Sequence, residues 1–437
     1  MIRRRKGSYS FYQPLLWEPS LPESRERPVE VSFRDLVPEI ADTGYLTHSL
    51  FYYPARFIPQ VPRFCLRAYT KPEEWVIDPF AGSGTVGLEA VLTRRHAILV
   101  DINPLLNHIV PAKITFSHQS ISSGVLESML NTMFQDSTFF YRPSWKNLEY
   151  WYEPEILKVL SRYWGWVKSL GENPYRPIIE IALLKASKYF SHAEHKTPKL
   201  FKSKAKKKFI QQLMASDWDR AMKALIRETA LDACHRLIRL MSVRPSPPTR
   251  VIYQGGMDSS DFEAWEKLDI RSYPVRAVIT SPPYLQAQEY IRTAKLELYW
   301  LGYSEEEVRA LNRLEIPYRP APKVVSTPAL DQIRQQLSRP DLHAILDSYF
   351  YYTLSALENA ANYLVSGGNL CIFVGSPKID GIEVETWRIF AEYFTERGYH
   401  LEAIYEDKIK SRQLFRNRKN KNPEGMPSEF LIVMRKS

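Results

Sequence analysis

Cysteine is scarce in this chain, and the three that occur exclude more than they offer. Cys65, Cys234 and Cys371 lie far apart and share no metal-ligand spacing. Neither a disulfide framework nor a zinc site is expected, and a reducing compartment fits. Long hydrophobic runs are missing too, since no stretch approaches the length of a membrane span. The opening MIRRRKGSYSFYQ is basic but no apolar stretch follows it, so a secretory signal is not expected. The expected location is the cytoplasm, with no membrane partner. No internal period is visible either, which leaves repeat architectures without support.

What is present is a basic globular composition. Its 437 residues suffice for two or three domains, and 44% apolar with 25% charged residues is ordinary for a folded protein. The formal charge of +10 favours polyanions and gives nucleic acid modest support. The 26 Tyr and 31 Pro point to long, structured, aromatic loops.

Along the chain, EWVIDPF, a glycine turn, a helix to about residue 95 and HAILVD ending at Asp101 form a β-α-β unit. After INPLLNHIVPAK, helical patterns dominate around 153–170, 178–190 and 206–242. Strands resume at 249–256 and 275–281. A long amphipathic helix, about 340–365, is expected to close at Ser366-Gly367-Gly368. NLCIFVG, a helix over about 383–397, HLEAIYEDKIK and EFLIVMRK follow. The simplest assembly is one α/β sheet interrupted by a helical insertion. Its last two strands are joined by the basic loop SRQLFRNRKNKNPEGMP, and so long a loop in a compact domain is functional or disordered.

Residues 78–87 read DPFAGSGTVG, in which Gly82, Gly84 and Gly87 spell G-x-G-x-x-G. Such a strand-turn-helix lets a ligand approach the backbone at a helix N-terminus. Asp101, 19 residues beyond Gly82, stands where a dinucleotide fold places its ribose acid. NAD therefore fits the spacing. Asp78, however, ends the strand, and a carboxylate beside a pyrophosphate is repulsive. A ligand with an ammonium or sulfonium and no phosphate suits it better, and S-adenosylmethionine is one. Gly87 then reads as helix packing or coincidence.

A second motif sits at the carboxyl end of a predicted parallel strand: Ser281-Pro282-Pro283-Tyr284. Ligand sites in open α/β sheets lie outside such ends. Two prolines stiffen the exit, so the Ser281 hydroxyl and Pro282 carbonyl become paired acceptors for an exocyclic amino group, and Tyr284 offers a face to a base. The bland alternative is a proline-stiffened surface turn with a core tyrosine.

Together the motifs resemble the amino-methyltransferase family that modifies DNA, which pairs F-x-G-x-G with (D/N/S)-P-P-(Y/F/W). Here these are Phe80-Ala81-Gly82-Ser83-Gly84 and Ser281-Pro282-Pro283-Tyr284. The resemblance covers roughly residues 45–110 and 250–437. It implies a Rossmann-like class I methyltransferase α/β fold, parallel with a terminal antiparallel hairpin and carrying a helical insertion. The division expected is 1–110 and 250–437 for the catalytic domain, with 111–249 as a target-recognition domain that binds DNA. The implied cofactor is S-adenosylmethionine, leaving S-adenosylhomocysteine, without a metal.

Carried over residue by residue, the cofactor contacts are Tyr53, Ala55 and Phe57 from THSLFYYPARFIPQVP, with Asp78, Pro79, Phe80, Ala81, Gly82, Ser83, Gly84 and Thr85 from the turn. Asp101 and Ile102 come from VDINPLL, and Asp258, near the adenine amino group, from GGMDSSDF. Ser281 through Tyr284 are the implied catalytic residues. The serine form is most similar to the cytosine-N4 branch, with adenine-N6 or RNA amino-methylation as the alternative. Many cytosine-N4 enzymes place the Pro-Pro motif first, whereas Gly82 precedes Ser281 here. No cysteine follows a proline, which argues against C5 chemistry.

Double-stranded DNA is the implied partner, and restriction-modification, with its cognate endonuclease, the implied setting. Seven lysines lie between Lys196 and Lys208 with no acid. Lys202, Lys204, Lys206, Lys207 and Lys208, with Arg412, Arg416 and Arg418 of the terminal loop, are candidate phosphate contacts; the alternative is a solvated charged face. Trp145, Trp151, Trp164 and Trp166 read as helix-packing core. His192, Glu194 and His195 read as polar loop residues. An NAD-dependent oxidoreductase and a non-catalytic DNA-binding module are the readings from other classes.

Overall fold

The computed structural model describes residues 27–54, 56–114, 121–194, 200–246, 248–285, 290–316, 319–409 and 426–437. The strands are β1 (Val29–Val31), β2 (Trp75–Asp78), β3 (His96–Asp101), β4 (Val251–Gly255), β5 (Val275–Thr280), β6 (Leu364–Gly375), β7 (Lys378–Ile379), β8 (Ile382–Glu383), β9 (Tyr399–Lys408) and β10 (Ser428–Lys436). Eight of them form one sheet in the order β1-β9-β10-β6-β5-β2-β3-β4, while β7 and β8 pair separately. Every neighbouring pair in the large sheet is parallel except those made by β10, which runs antiparallel to both β6 and β9. The terminal hairpin expected from the sequence is thus wedged into the sheet rather than appended to it. The α/β methyltransferase-like architecture is present.

Central strands read as continuous apolar runs because helices cover both faces. Ile77, Ile98, Val278, Ile372 and Ile432 enter a core with the helices Pro340–Ala361 and Thr386–Thr395. Their neighbours Val76, Leu99, Ile279, Phe373 and Leu431 enter the opposite core with the helices Gln60–Tyr69 and Thr85–Leu92. Cys65 and Cys371 are buried in that second core, and Cys234 in a third, helical one.

The helical core gathers the helices Ser123–Gln135, Pro154–Ser169, Arg176–Tyr189 and Trp218–Val243. It also takes in residues 291–308, from beyond the Pro-Pro motif. Trp300 stacks on Trp164 with ring centroids 5.8 Å apart and donates to the Tyr152 hydroxyl at 2.7 Å. The helical layer therefore draws on two separate stretches of chain, not on 111–249 alone.

Two expected elements differ in detail. The pattern over 206–242 resolves into two helices, Lys204–Met214 and Trp218–Val243, because Asp217 caps the second by accepting from the Arg220 amide at 3.2 Å. The helix expected to 365 stops at Ala361, and Ser366-Gly367-Gly368 lie inside β6. There the register with β5 slips between Leu364 and Asn369, and Gly367 takes φ +70°. Among the described residues no helix is long and apolar enough to cross a membrane.

Candidate active site

The strand order reverses between β2 and β5, so the crevice beyond their carboxyl ends is where this sheet offers a ligand site. Both motifs open there. After β2, Gly82 and Gly84 adopt φ +54° and +75°, a region that disfavours other residues. The Gly82 amide donates to Asp101 Oδ2 at 2.7 Å, and the Asn103 amide to Oδ1 at 2.7 Å. Asp101, at the end of β3, thereby closes the turn from the neighbouring strand. Gly87 has a packing reason: a Cβ there would sit 2.6 Å from Leu99 Cδ1.

Thr280 ends β5, and its hydroxyl donates to Asp78 Oδ1 at 2.6 Å, joining residues 202 apart in sequence. Asp78 also accepts from the Phe80 amide at 3.1 Å. Burial pushes its carboxyl up to about 7, and pushes Asp101 up to about 6. Ser281, Pro283 and Tyr284 are half-buried at this exit and Pro282 is buried. The Tyr284 hydroxyl donates to Glu429 at the head of β10, whose carboxyl burial pushes up.

Among the other expected cofactor contacts, Pro79, Ala81, Ser83 and Thr85 are buried, while Phe80 and Ile102 are half-buried. The Tyr53 ring covers the turn, its Cε1 3.2 Å from where a Gly82 Cβ would lie, and it stacks on Tyr290 with centroids 6.0 Å apart. Phe57 stacks instead on Phe373 of β6, 5.5 Å away. Ala55 lies outside the described residues. The Asp258 carboxylate takes a bidentate ion pair from Arg319 at 2.6 and 3.2 Å and also accepts from the Ser260 hydroxyl at 2.7 Å. It is already partnered, which the sequence pattern did not anticipate.

The segment carrying Tyr53 is fastened by a buried network that the motifs do not contain. Glu89, the one charge in the helix TVGLEAVL, accepts from Arg63 Nε at 2.6 Å and from the Tyr45 hydroxyl, and lies 2.7 Å from His48 Nε2. Burial lowers the His48 imidazole to about 4, so it is neutral near pH 7. Buried Lys113 donates to the Ser83 carbonyl at 2.7 Å, and Thr47 to the Lys113 carbonyl at 3.0 Å. Glu89 was the detectable signal, a lone acid in an apolar helix. Thr280, Asn103, Tyr290, Lys113, Arg319 and Glu429 had none.

These residues fit the cofactor that the resemblance implies. Ser83 Oγ is buried without a hydrogen-bond partner among the described residues, at a turn whose backbone is open to close approach. Asp101 retains acceptor capacity for a hydroxyl pair beside it. Two buried carboxyls at the crevice favour a cationic ligand over a pyrophosphate.

The lysine cluster divides. Lys204, Lys207 and Lys208 are exposed, and Lys202 lies over the Tyr150 ring at 3.5 Å. Lys206 is a correction: it is 2% exposed and donates to the Tyr189 carbonyl at 2.7 Å, so packing consumes it and it is no phosphate contact. Arg412, Arg416 and Arg418 lie outside the described residues, as does His195. His192 stands 3.3 Å from Glu153, and Ser203 donates to Glu194. Among the described residues no group of three or more acids, histidines or cysteines is arranged for a metal. Trp151, Trp164 and Trp166 are buried, and Trp145 stacks on Tyr299 at 4.5 Å.

Comparison with known proteins gives the same picture. Residues 17–110 match the family model described as DNA methylase, which spans the Tyr53 segment, the glycine turn and Asp101 but not the Pro-Pro motif. The type II methyltransferase M.MvaI of Kocuria varians is 24% identical over 291 residues, 63% of this chain and 62% of that protein. M.BsoBI of Geobacillus stearothermophilus is 22% identical over 316 residues, 65% of this chain and 58% of that protein. M.PvuII of Proteus hauseri is 32% identical over 79 residues, 18% of this chain and 23% of its own length. The chain thus spans about six tenths of the length of the first two relatives. With both motifs meeting at one crevice of the expected sheet, the chain is similar to the amino-methyltransferases of DNA, through the family model over residues 17–110 and through relatives matched over about two thirds of its length.

Proposed function

We propose that this protein transfers a methyl group from S-adenosylmethionine to the exocyclic N4 amino group of a cytosine in double-stranded DNA. The observation that carries the reading is the Thr280–Asp78 hydrogen bond, which sets Ser281 directly beside the glycine turn. A stacked base cannot enter such a crevice, so the target is flipped out of the duplex, as enzymes that do chemistry on a base require. The Ser281 hydroxyl and the Pro282 carbonyl accept the two amino N–H bonds and leave the nitrogen lone pair free to face the cofactor side. The Tyr284 ring holds the base plane. Asp101 binds the ribose hydroxyls, and Tyr53 closes the crevice over the turn and excludes water. Bound S-adenosylmethionine supplies an already activated methyl group, so positioning and desolvation account for most of the catalysis.

The serine at position 281 supports cytosine-N4. Adenine-N6 is the second reading, favoured by the order of the motifs, with Gly82 before Ser281. The helices of 111–249 are the proposed target-recognition part, with Lys202, Lys204, Lys207 and Lys208 on phosphates. Restriction-modification in the cytoplasm beside a cognate endonuclease is the proposed setting, consistent with relatives named type II methyltransferases.

The test is nucleoside mass spectrometry of DNA and RNA after incubation with the protein and S-adenosylmethionine. N4-methylcytosine in DNA is expected; N6-methyladenine would select the second reading. Ser281→Ala and Tyr284→Ala should each abolish transfer while calorimetry still shows the cofactor bound. Near-parental transfer by both would sink the assignment.

A further inference from the structure

Tyr284 does not end at the base-facing crevice. It leaves β5, yet its hydroxyl is bonded to Glu429 on β10, and β6 lies between those two strands. The crossing passes Gly375, the last residue of β6. It stands directly opposite Glu429 in the antiparallel register, and a Cβ on it would meet Tyr284 Cε2 at an ordinary contact distance of 3.4 Å, its clash being with Met426 instead. Opposed residues of an antiparallel pair share a face, so the ring lies over Gly375 on the side where Glu429 projects. The Glu429 carboxyl is itself buried, and its hydrogen bond to the tyrosine satisfies a group that would be costly to leave unpaired.

We infer that Glu429 is a positioning residue for Tyr284: its carboxyl holds the ring's hydroxyl on β10 and so sets the plane on which the substrate base stacks. This rests on the reading of Tyr284 as the base-stacking ring. Glu429 touches no reacting atom and acts only through Tyr284. A ring held by its hydroxyl is ordered before the base arrives, and loss of such order in a site costs rate rather than cofactor binding.

The experiment places 3-fluorotyrosine at position 284 of the full chain and follows its fluorine NMR resonance, without DNA. One sharp resonance is expected in the parent, broadened or split in Glu429→Leu, and restored in Glu429→Gln, which keeps an acceptor oxygen. In parallel, kcat should fall about 10- to 100-fold in Glu429→Leu while S-adenosylmethionine affinity stays within about twofold. A resonance indifferent to Glu429→Leu would overturn the inference. Should Glu429→Leu not fold, Tyr284→Phe asks the same question from the other partner. About a tenfold loss of turnover with cofactor affinity held supports the inference, and parental turnover overturns it. Because the fluorine signal needs no methyl transfer, its response stands even if the chain proves to methylate nothing. Failure of the inference and failure of the functional reading are thereby separated.

Discussion

Substituting Glu89 by glutamine removes one negative charge and one acceptor oxygen from the network that fastens the Tyr53 segment. Glu89 and Arg63 are both 0% exposed, and Glu89 also meets His48 and Tyr45. The amide has one oxygen for three approaching donors, so its NH2 must turn toward at least one of them. The next acid to Arg63 is Glu39, 3.7 Å away and already engaged with Arg67 at 2.5 Å. Removing one partner of a buried ion pair costs about 3–5 kcal/mol. The oxygen that remains and Glu39 argue for the lower end, about 3 kcal/mol, which is a melting shift of roughly 3–5 °C for a chain of 437 residues.

The loss should be local first. Hydrogen exchange should speed up over residues 44–54, and affinity for S-adenosylmethionine should weaken about tenfold for each 1.4 kcal/mol of latch energy lost. The network also carries a pH signature. His48, lowered from 6.5 to about 4, stays neutral where an unfolded histidine protonates. Its contribution is full above the unfolded value and is lost as pH falls toward 4, by up to about 1.4 kcal/mol per pH unit. A parental melt together with unchanged exchange over 44–54 in Glu89→Gln would refute this account of the latch.

The raised carboxyls, Asp78 at about 7 and Asp101 at about 6, predict that calorimetric affinity for the cationic cofactor increases as pH rises from about 5.5 to 7.5. Over that rise the free protein should lose stability, because the unfolded chain has already released these protons. Thr280→Val, which removes a donor to Asp78, should move the affinity profile to higher pH; a flat profile in the parent would contradict the assignment. Replacing Lys204, Lys207 and Lys208 together by glutamine should reduce the slope of log K against log salt for DNA by up to about 2.7, at about 0.9 per phosphate contact. Lys206→Met should leave that slope unchanged, and an equal loss of slope would show that the burial of Lys206 does not govern its role.

Much of the site is legible in local chemistry. Glycines at 82 and 84, an acid at 78 and paired prolines at 282 and 283 restrict the backbone wherever they occur, so strand-turn-helix and stiffened exit can both be read from neighbours in the chain. Gly87 illustrates the limit of such reading. Its spacing completes a dinucleotide pattern, but its reason for being glycine is Leu99 on the next strand. The helix boundaries at 215–217 and 361 shifted for similarly local causes, an aspartate cap and a bulged strand start.

Composition, periodicity and the two motifs were enough to read an α/β sheet, a glycine turn between strand and helix and a proline-stiffened strand exit, because each depends on residues within a few positions of one another. Folding settled the rest. Thr280 meets Asp78, Tyr284 reaches Glu429 across Gly375, Arg319 occupies Asp258, and residues 291–308 complete the helical core. Lys206, identical in type to its exposed neighbours, is withdrawn by burial. Such facts depend on which distant segments the sheet brings together, and burial and partnership belong to that assembly rather than to any residue alone.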